Sequence, residues 1–209
     1  MFYLLHAHNS TYTPSAGHLS LDFTNTLEWR KRSEPIEYLS GYADLLLWGN
    51  IVGLLKKEEV ESLLEQSHLI QDEVNAIYNR AITLREALYR MFSAIANTSQ
   101  PALADVSVLN TELAIALSHR TIEWTDQGFQ WGWEQANNHL DSLLWHVAAS
   151  AAELLTSDLL ERVGECQGID CGWLFIDTSK NHSRRWCNMD SCGNRAKARR
   201  HYKRKQLVD

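Results

Sequence analysis

The chain has 209 residues, of which 44% are hydrophobic and 10% aromatic, and its formal net charge is −6. This composition predicts a globular protein with a buried core and excludes a largely disordered or collagen-like chain. Residues 1–10 lack the pattern of a signal peptide and no apolar run is long enough to cross a bilayer, so we expect a cytoplasmic protein without a membrane segment.

Charge is distributed unevenly along the chain. The first 165 residues contain ten Lys or Arg and 22 acidic residues, whereas residues 166–209 contain ten Lys or Arg and four acidic residues. We expect two domains: a mostly helical, acidic domain over residues 1–160 that buries its own core, and a basic domain over residues 161–209. The second is too short to fold around a core without help from a metal.

The first helical pattern covers residues 19–29, where Leu19, Phe23 and Leu27 recur at helical spacing. The polar residues Asp22 and Asn25 lie between them. Either residue is a candidate for a ligand pocket or for a structural anchor. The anchor is favoured because buried amides usually satisfy neighbouring backbone groups.

A charged loop over residues 30–35 precedes further helical patterns, the first of which has Ser40 as its predicted N-cap. Their predicted ranges are residues 40–49, 56–68, 73–96, 102–117 and 139–155. In the last of them, His139, His146 and Glu153 are spaced by sevens. A metal-binding pair on a helix needs ligands four apart, so we interpret these residues as surface or hydrogen-bonded polar groups.

Before the last of these helices the pattern alternates. Residues 121–124 and 129–133, with a turn at 126–128, predict a β-hairpin whose Phe129, Trp131 and Trp133 share one face. A platform for base stacking is one interpretation, but the flanking residues are acidic or uncharged. Core or interface packing is favoured. The predicted fold class is therefore mainly α with a small β-hairpin (α+β).

All four cysteines lie in the basic domain, as two C-x4-C pairs: Cys166 with Cys171, and Cys187 with Cys192. Two loops of this kind, the first knuckle (residues 166–171) and the second knuckle (residues 187–192), can direct four thiolates to one tetrahedral Zn²⁺. Four sulfur ligands leave no position for a catalytic water, so the metal is structural. Two disulfides or four unrelated thiols are the alternatives, and neither suits clustered cysteines in a cytosolic chain.

Zinc, clustered arginines and aromatic residues together are typical of nucleic-acid binding. On a predicted helix after the second knuckle, Arg195, Arg199 and Lys203 form one stripe and Arg200 and Arg204 a second, while Tyr202 is expected to pack back on the domain. Arg195 is also a candidate to bond back to the zinc knuckle. The candidate nucleic-acid contacts are Lys180, Arg184, Arg185, Arg195, Lys197, Arg199, Arg200, Lys203 and Arg204.

Two segments resemble a known family. Residues 192–195 read Cys-Gly-Asn-Arg, and the surrounding WLFIDTSKNHSRRWCNMDSCGNRAKARR is similar to the CGNR zinc fingers. The segment GHLSLDFTNTL, residues 17–27, resembles the opening motif of the ABATE domain, which usually precedes such fingers in proteins described as stress-induced transcription regulators. Ser20 and Thr24 stand where that family tends to be apolar. A hairpin knuckle followed by a helix-opening knuckle also resembles the treble-clef arrangement.

We therefore expect a non-enzymatic transcription regulator that binds DNA through a finger with one structural Zn²⁺. Its N-terminal domain is expected to sense an unidentified small molecule or to form a homodimer. An RNA-binding or ribosome-associated zinc protein would show the same charge pattern. An enzyme domain targeted by the finger is a third alternative, although the sequence contains no Gly-rich phosphate loop, nucleophile elbow or catalytic cysteine.

Overall fold

The computed structural model describes residues 6–7, 10–134 and 139–206, and it confirms the mainly helical α+β fold with a four-cysteine finger. The helices are α1 (Leu19–Thr24), α2 (Tyr42–Ile51), α3 (Lys57–Ser67), α4 (Gln71–Ala96), α5 (Leu103–Ser118), α6 (Ser142–Leu155) and α7 (Asn194–Lys205). Within the described ranges, no helix is both long enough and apolar enough to cross a membrane.

The strands form antiparallel pairs of two. They are β1 (His6–Ala7) with β2 (Ser10–Thr11), β3 (Leu27–Glu28) with β4 (Ile36–Glu37), β5 (Arg120–Thr125) with β6 (Gly128–Trp133), and β7 (Val163–Glu165) with β8 (Leu174–Ile176). A short 3-10 helix, Asp158–Arg162, leads from α6 into β7.

Helix α4 is the longest element and forms the centre of the helical domain. Its apolar residues recur every three or four positions, which gives it one continuous buried stripe. Helices α1, α2 and α5 and strand β7 pack against it. The buried apolar residues of α4 are Val74, Ile77, Ala81, Leu84, Ala87, Leu88, Met91 and Phe92.

Helix α2 approaches α6 closely at Gly49. A side-chain carbon on Gly49 would lie 2.7 and 2.9 Å from the two methyl carbons of Leu143, so a larger residue would push the helices apart. The preceding Trp48 is fully buried and contacts Phe23 of α1, with ring centroids 5.0 Å apart. These contacts tie the N-terminal motif to the same core as α2 and α6.

The prediction of one helical segment over residues 19–29 was wrong at its C-terminal end. Helix α1 ends at Thr24, and Leu27 pairs with Glu37 in the short β3–β4 ladder. The hydroxyl of Thr26 donates to the carbonyl of Phe23, and so does its backbone N–H. This local hydrogen bonding closes the helix with a tight turn instead of continuing it.

The predicted N-cap of α2 was also wrong, because Gly41 and not Ser40 occupies that position. The backbone N–H of Ser40 donates to the carboxylate of Asp44 in the first turn, at 2.9 Å. An acidic side chain at this end interacts favourably with the helix dipole, which stabilises the start of α2 without a side-chain cap.

The histidines spaced by sevens do not converge. His139 precedes α6, which begins at Ser142, and its ring lies 4.9 Å from that of Trp145. His146 contacts Trp133 instead, with ring centroids 5.1 Å apart, and Glu153 is exposed. The two histidines thus pack against aromatic rings, and Glu153 is on the surface, as one of the two interpretations predicts.

The predicted hairpin is present as β5–β6, but its aromatic residues are not all packed. Phe129 and Trp131 are 76% and 64% exposed, so of the two expectations, core or interface packing, the structure excludes the core for these two residues. Only Trp133, at the base of the hairpin, is half-buried, with its ring centroid 6.1 Å from that of Trp145. The helices cover the base of the hairpin and leave its outer part uncovered.

The finger is packed into the core of the helical domain. Val163, Leu174 and Ile176, on strands β7 and β8, are buried in the same apolar cluster as the helices. The backbone N–H of Ile176 donates to the carbonyl of Ala16, at 2.8 Å. The two parts of the chain that the sequence divides by charge therefore share one core.

Candidate metal centre and basic helix

The four cysteine sulfur atoms meet at one buried point, within 4.8 Å of one another. The Cys171 and Cys187 sulfurs are 3.6 Å apart, and those of Cys187 and Cys192 are 3.7 Å apart. A tetrahedron with Zn–S bonds of 2.3 Å has edges of about 3.8 Å. The four cysteines thus form a site for one structural Zn²⁺, as predicted.

The backbone of the first knuckle fits closely around this site. A side-chain carbon on Gly168 would lie 3.0 Å from the Cys171 Cβ and 3.2 Å from the Cys192 Sγ. The N–H of Gly168 also donates to the sulfur of Cys166, at 3.5 Å. A glycine here allows the loop to wrap the sulfurs and to direct a backbone dipole at a thiolate.

The site favours the thiolate form of Cys192. Its pKa is lowered because the other three cysteines hydrogen-bond to its sulfur, and the nearby Arg195 adds to this effect against the opposing influence of burial. A thiolate is the form that binds zinc. Hydrogen bonds among the same sulfurs raise the pKa of Cys171 and Cys187, so only part of the ligand set is held as thiolate before an ion binds.

Different local structures position the two knuckles. In the first, the N–H of Cys166 donates to the carbonyl of Trp173 at 2.8 Å, which extends the β7–β8 ladder up to the cysteines. In the second, the side-chain oxygen of Asn188 accepts the N–H groups of Asp190 and Ser191, at 2.7 and 3.1 Å. Asn188 thus caps the turn Met189–Gly193, which continues directly into α7.

A strand pair ending in one knuckle and a helix leaving the other is the treble-clef-like arrangement that the sequence predicts. Asn194, the first residue of α7, donates its side-chain amide to the carbonyl of Asp190 at 3.1 Å. The capping function belongs to Asn188, which the sequence analysis did not single out. An Asn directly after a ligand, before a turn, is the signal that would have identified it.

Arg195 connects α7 to the metal site, as one of the sequence alternatives proposed. Its guanidinium donates to the sulfur of Cys192 at 3.2 Å and lies 4.2 Å above the ring of Trp29. The other neighbour of that ring is Arg32, 4.0 Å from its centroid. A tryptophan of the helical domain is therefore held between two guanidinium groups, one from each part of the chain.

The loop that begins at Trp29 also contacts the first knuckle directly. The N–H groups of Arg30 and Lys31 donate to the carbonyls of Cys171 and Asp170, at 3.1 and 3.3 Å. The sequence predicts only a charged loop for residues 30–35. The run Trp-Arg-Lys-Arg after the N-terminal motif was the available signal, but nothing in it names the partner.

Asn25 and Asp22 make contacts that favour the anchor role over a ligand pocket. The Asn25 amide donates to the carbonyl and accepts the N–H of Leu174, both at 2.9 Å. The Asp22 carboxylate accepts the N–H groups of Ser15 and Ala16, at 2.8 and 2.9 Å. Burial raises the pKa of Asp22, and these backbone hydrogen bonds partly oppose the effect.

Arg184, a candidate nucleic-acid contact, makes its hydrogen bonds within the finger. Its guanidinium donates to the carbonyls of Ile176, Trp186 and Cys187 and lies 4.3 Å from the ring centroid of Phe175. These contacts stabilise the loop that joins β8 to the second knuckle. We therefore remove Arg184 from the set of candidate contacts and assign it a structural role.

The remaining basic candidates are on the surface. Arg185 is exposed and its Nε donates to the side-chain oxygen of Gln167, at 2.7 Å, and Lys180 is exposed as well. No residue of α7 is buried. Tyr202 is 68% exposed, so the expectation that it packs back on the domain was wrong. Arg195, in the first turn of α7, joins the helix to the zinc site and to the helical domain.

A shallow cleft of about 270 Å³ lies between the first knuckle and α7. Its walls combine exposed Ile169 and half-buried Trp186 with basic side chains of the helix. The cleft is open and carries positive charge on one side. Its lining residues are Gln167, Gly168, Ile169, Trp186, Ala196, Arg199, Arg200 and Lys203.

An ionic cluster around the buried Arg85, which the sequence did not reveal, is connected to the first knuckle through Arg30. Arg85, on α4, pairs through both terminal nitrogens with Glu37 at 2.6 and 2.7 Å and through Nε with Glu86. Glu86 also binds Arg30 at 2.7 Å. Burial alone would raise the pKa of Glu86, but hydrogen bonds and charges from the two arginines hold it below its usual value.

Comparisons with known sequences agree with this architecture. The family model of the ABATE domain, described as "Putative stress-induced transcription regulator", matches residues 17–158, and the CGNR zinc-finger model matches residues 162–205. A search among curated proteins finds no match. The first model covers well over half of the chain and the second covers the metal site. The chain therefore belongs to the ABATE family and carries a CGNR zinc finger behind the ABATE domain.

Proposed function

We propose that this protein is a transcription regulator that binds double-stranded DNA through the exposed basic surface of α7 and the adjoining loop. The observation that carries the proposal is the charge of α7. Seven of its twelve residues are Lys or Arg, and none is acidic. A helix this basic repels itself, so a polyanion is the partner that its composition favours.

The basic side chains of α7 have few competing partners inside the protein. In the part of the chain that the structure describes, the ion pairs between basic and acidic side chains involve no residue of α7. Arg195 differs from the other basic residues of α7, because its guanidinium contacts Cys192 and Trp29. The other side chains are free to contact phosphates, and arginines can do so with two hydrogen bonds.

We assign the contact surface to the basic candidates that the sequence indicated, without Arg184 and Arg195. Arg195 acts as a positioning residue, since it fixes the first turn of α7 against the zinc site and the helical domain. The helical domain itself is acidic and repels DNA at long range, which restricts the approach of a duplex to the finger. The proposed contacts are Lys180, Arg185, Lys197, Arg199, Arg200, Lys203 and Arg204.

We propose no catalytic role for the metal, because its four sulfur ligands leave no position for water or substrate. The cysteines must stay reduced to bind zinc, so the proposal places the protein in the cytoplasm. Under the same proposal, the ABATE domain sets the position of the finger and receives the signal that regulates it. The chemical nature of that signal is outside the proposal.

The test is binding of the full, zinc-loaded chain to a fluorescein-labelled DNA duplex, followed by fluorescence anisotropy. We expect a dissociation constant of about 10⁻⁴–10⁻⁶ M for a random sequence at physiological salt. Unlabelled duplex DNA should compete at least as well as RNA of the same length and sequence. Preference for RNA by tenfold or more would reject DNA as the partner and favour the RNA-binding alternative. No binding to either polymer at low salt would reject the proposal.

A further inference from the structure

The β5–β6 hairpin presents four large apolar side chains on one face. The register places Ile122 opposite Trp131 and Trp124 opposite Phe129, so all four point to the same side of the two strands. We call these four residues the aromatic face. The rings of Trp124 and Phe129 are in edge-to-face contact near the turn, with centroids 4.8 Å apart.

The aromatic face is exposed to a degree that is unusual for such residues. The exposed fractions are 73% for Trp124, 76% for Phe129, 64% for Trp131 and 56% for Ile122. A buried aromatic side chain covers about 150–250 Å², so the three rings alone present on the order of 400 Å². Soluble monomers rarely expose one contiguous apolar patch of this size unless it binds something.

A groove of about 310 Å³ continues the aromatic face at the base of the hairpin. Its apolar lining comes from Trp131, from Leu113 and Leu117 of α5, and from Ala149 and Ala152 of α6. The other lining residues are Arg120, Glu153 and Thr156. Leu117 is itself 56% exposed. The surface thus combines an apolar knob, the Trp124–Phe129 pair, with a mainly apolar groove of a size that commonly accepts a small organic group.

We infer that the aromatic face and this groove form the interface between two copies of the chain, with the knob of each copy in the groove of the other. A two-fold axis brings one surface patch against itself, so a stable dimer needs a patch that contains both complementary shapes. The hairpin and its groove provide both. Two copies of the face packed together would also protect the otherwise exposed two-stranded hairpin.

Size and charge favour a second copy as the occupant. A standard interface buries about 800 Å² per partner around an aromatic centre, and the three rings with Ile122 and Leu117 supply a large part of that. The aromatic face carries no acidic side chain, because Glu123 lies on the opposite side of the hairpin, folded over Gly132. The groove carries one basic and one acidic side chain, Arg120 and Glu153, so the uncharged knob of a second copy meets no excess of either sign.

The interface involves no residue of the finger, so this inference does not rest on the proposed binding of DNA. Its test measures mass in the absence of nucleic acid. The full, zinc-loaded chain should sediment as a dimer of twice 24.0 kDa at about 100 μM. Phe129→Lys in the knob and Ala152→Lys in the groove should each weaken association at least ~30-fold, the effect expected of central interface residues.

The matched control is Gln130→Lys, which adds the same charge at the neighbouring position on the opposite face of the hairpin, beside Glu123. It should leave the dimer intact. Far-UV circular dichroism and one zinc per chain establish that each variant is folded. A monomeric wild-type chain at 100 μM overturns the inference, and so does a dimer that survives Phe129→Lys or Ala152→Lys. Equal loss of dimer in Gln130→Lys would show a general charge effect and would overturn it as well.

Discussion

The side-chain amide of Asn25 forms a two-point hydrogen bond with the backbone of Leu174, which lies 149 residues further along the chain. It satisfies both the N–H and the carbonyl of a buried residue in β8. The preceding residue, Trp173, accepts the N–H of Cys166, a zinc ligand. The opening motif of the ABATE domain is therefore connected to the metal site through two successive residues, Trp173 and Leu174, the second of which begins β8.

Asn25→Ala should lower the stability of the protein because it leaves the N–H and carbonyl of Leu174 unpaired in the core. Each unsatisfied group costs about 1–3 kcal/mol. Thermal unfolding of the zinc-loaded protein should show a clear decrease in melting temperature, and a chelator should remove zinc faster than from the wild type. Asn75→Ala removes an exposed amide from α4 and is the control. An unchanged melting temperature in Asn25→Ala would contradict the anchor role.

Sequence patterns identified the zinc ligands and most helices because each depends on residues close together in the chain. Spacing of four between cysteines and periodicity of three or four in a helix are local properties. The partner of Asn25 was not predictable in this way, since an amide carries no information about which distant backbone it will meet. For the same reason, the sequence indicated that Trp29 is apolar but not that it lies between Arg32 and Arg195.

Loss of one zinc ligand should affect both parts of the chain. Cys187→Ser should abolish stoichiometric zinc binding, because three thiolates do not close the tetrahedron. It should also lower the melting temperature of the whole chain, since Val163, Leu174 and Ile176 of the finger belong to the common core. Zinc content and thermal unfolding measure the two effects. Ser191→Ala, in the same turn, should change neither, and full zinc occupancy in Cys187→Ser would exclude the assigned ligand set.

Arg195 should increase the affinity of the site for zinc, although it contacts a ligand and not the metal. Removal of its hydrogen bond to the Cys192 sulfur in Arg195→Ala should weaken zinc binding by about 10–100-fold, the range found for groups that orient metal ligands. Arg195→Lys should restore only part of it, because an ammonium cannot both stack on Trp29 and reach the sulfur. Competition with a zinc chelator gives the affinities. Arg199→Ala removes the same charge one turn later and should leave zinc binding unchanged.

The exposed aromatic hairpin shows that sequence periodicity does not predict how deeply a face is buried. Alternation correctly predicted that Phe129, Trp131 and Trp133 share a face, but not how much of that face the helices cover. Burial depends on the position of α5 and α6 around the base of the hairpin. A pattern of apolar residues is the same whether they pack against their own chain or against a partner, so the sequence could not separate the two.

The stability of the protein should depend on the guanidinium of Arg85 in the ionic cluster, and not only on its positive charge. Arg85 is almost fully buried and uses both ends of its guanidinium, with two bonds to Glu37 and one to Glu86. Arg85→Lys keeps the charge but loses this geometry, and we expect a loss of about 2–3 kcal/mol, measured by urea unfolding. Arg90→Lys, in the same helix with a bidentate bond to Asp105 but a 55% exposed side chain, should cost much less. Equal costs for the two would argue against the buried cluster.

The salt dependence of DNA binding should depend on the basic residues of α7. If Arg199 and Arg200 each neutralise one phosphate, their joint replacement by Ala should reduce the slope of log affinity against log salt by about 1.8, since each contact contributes roughly 0.9. Zinc content should not change, because neither side chain is a ligand. Lys56→Ala with Lys57→Ala removes the same charge from the acidic domain and should leave the slope as it is. Anisotropy across a salt series on the full chain measures both pairs, and equal slopes for Arg199/Arg200→Ala and the wild type would place the DNA contacts elsewhere than on α7.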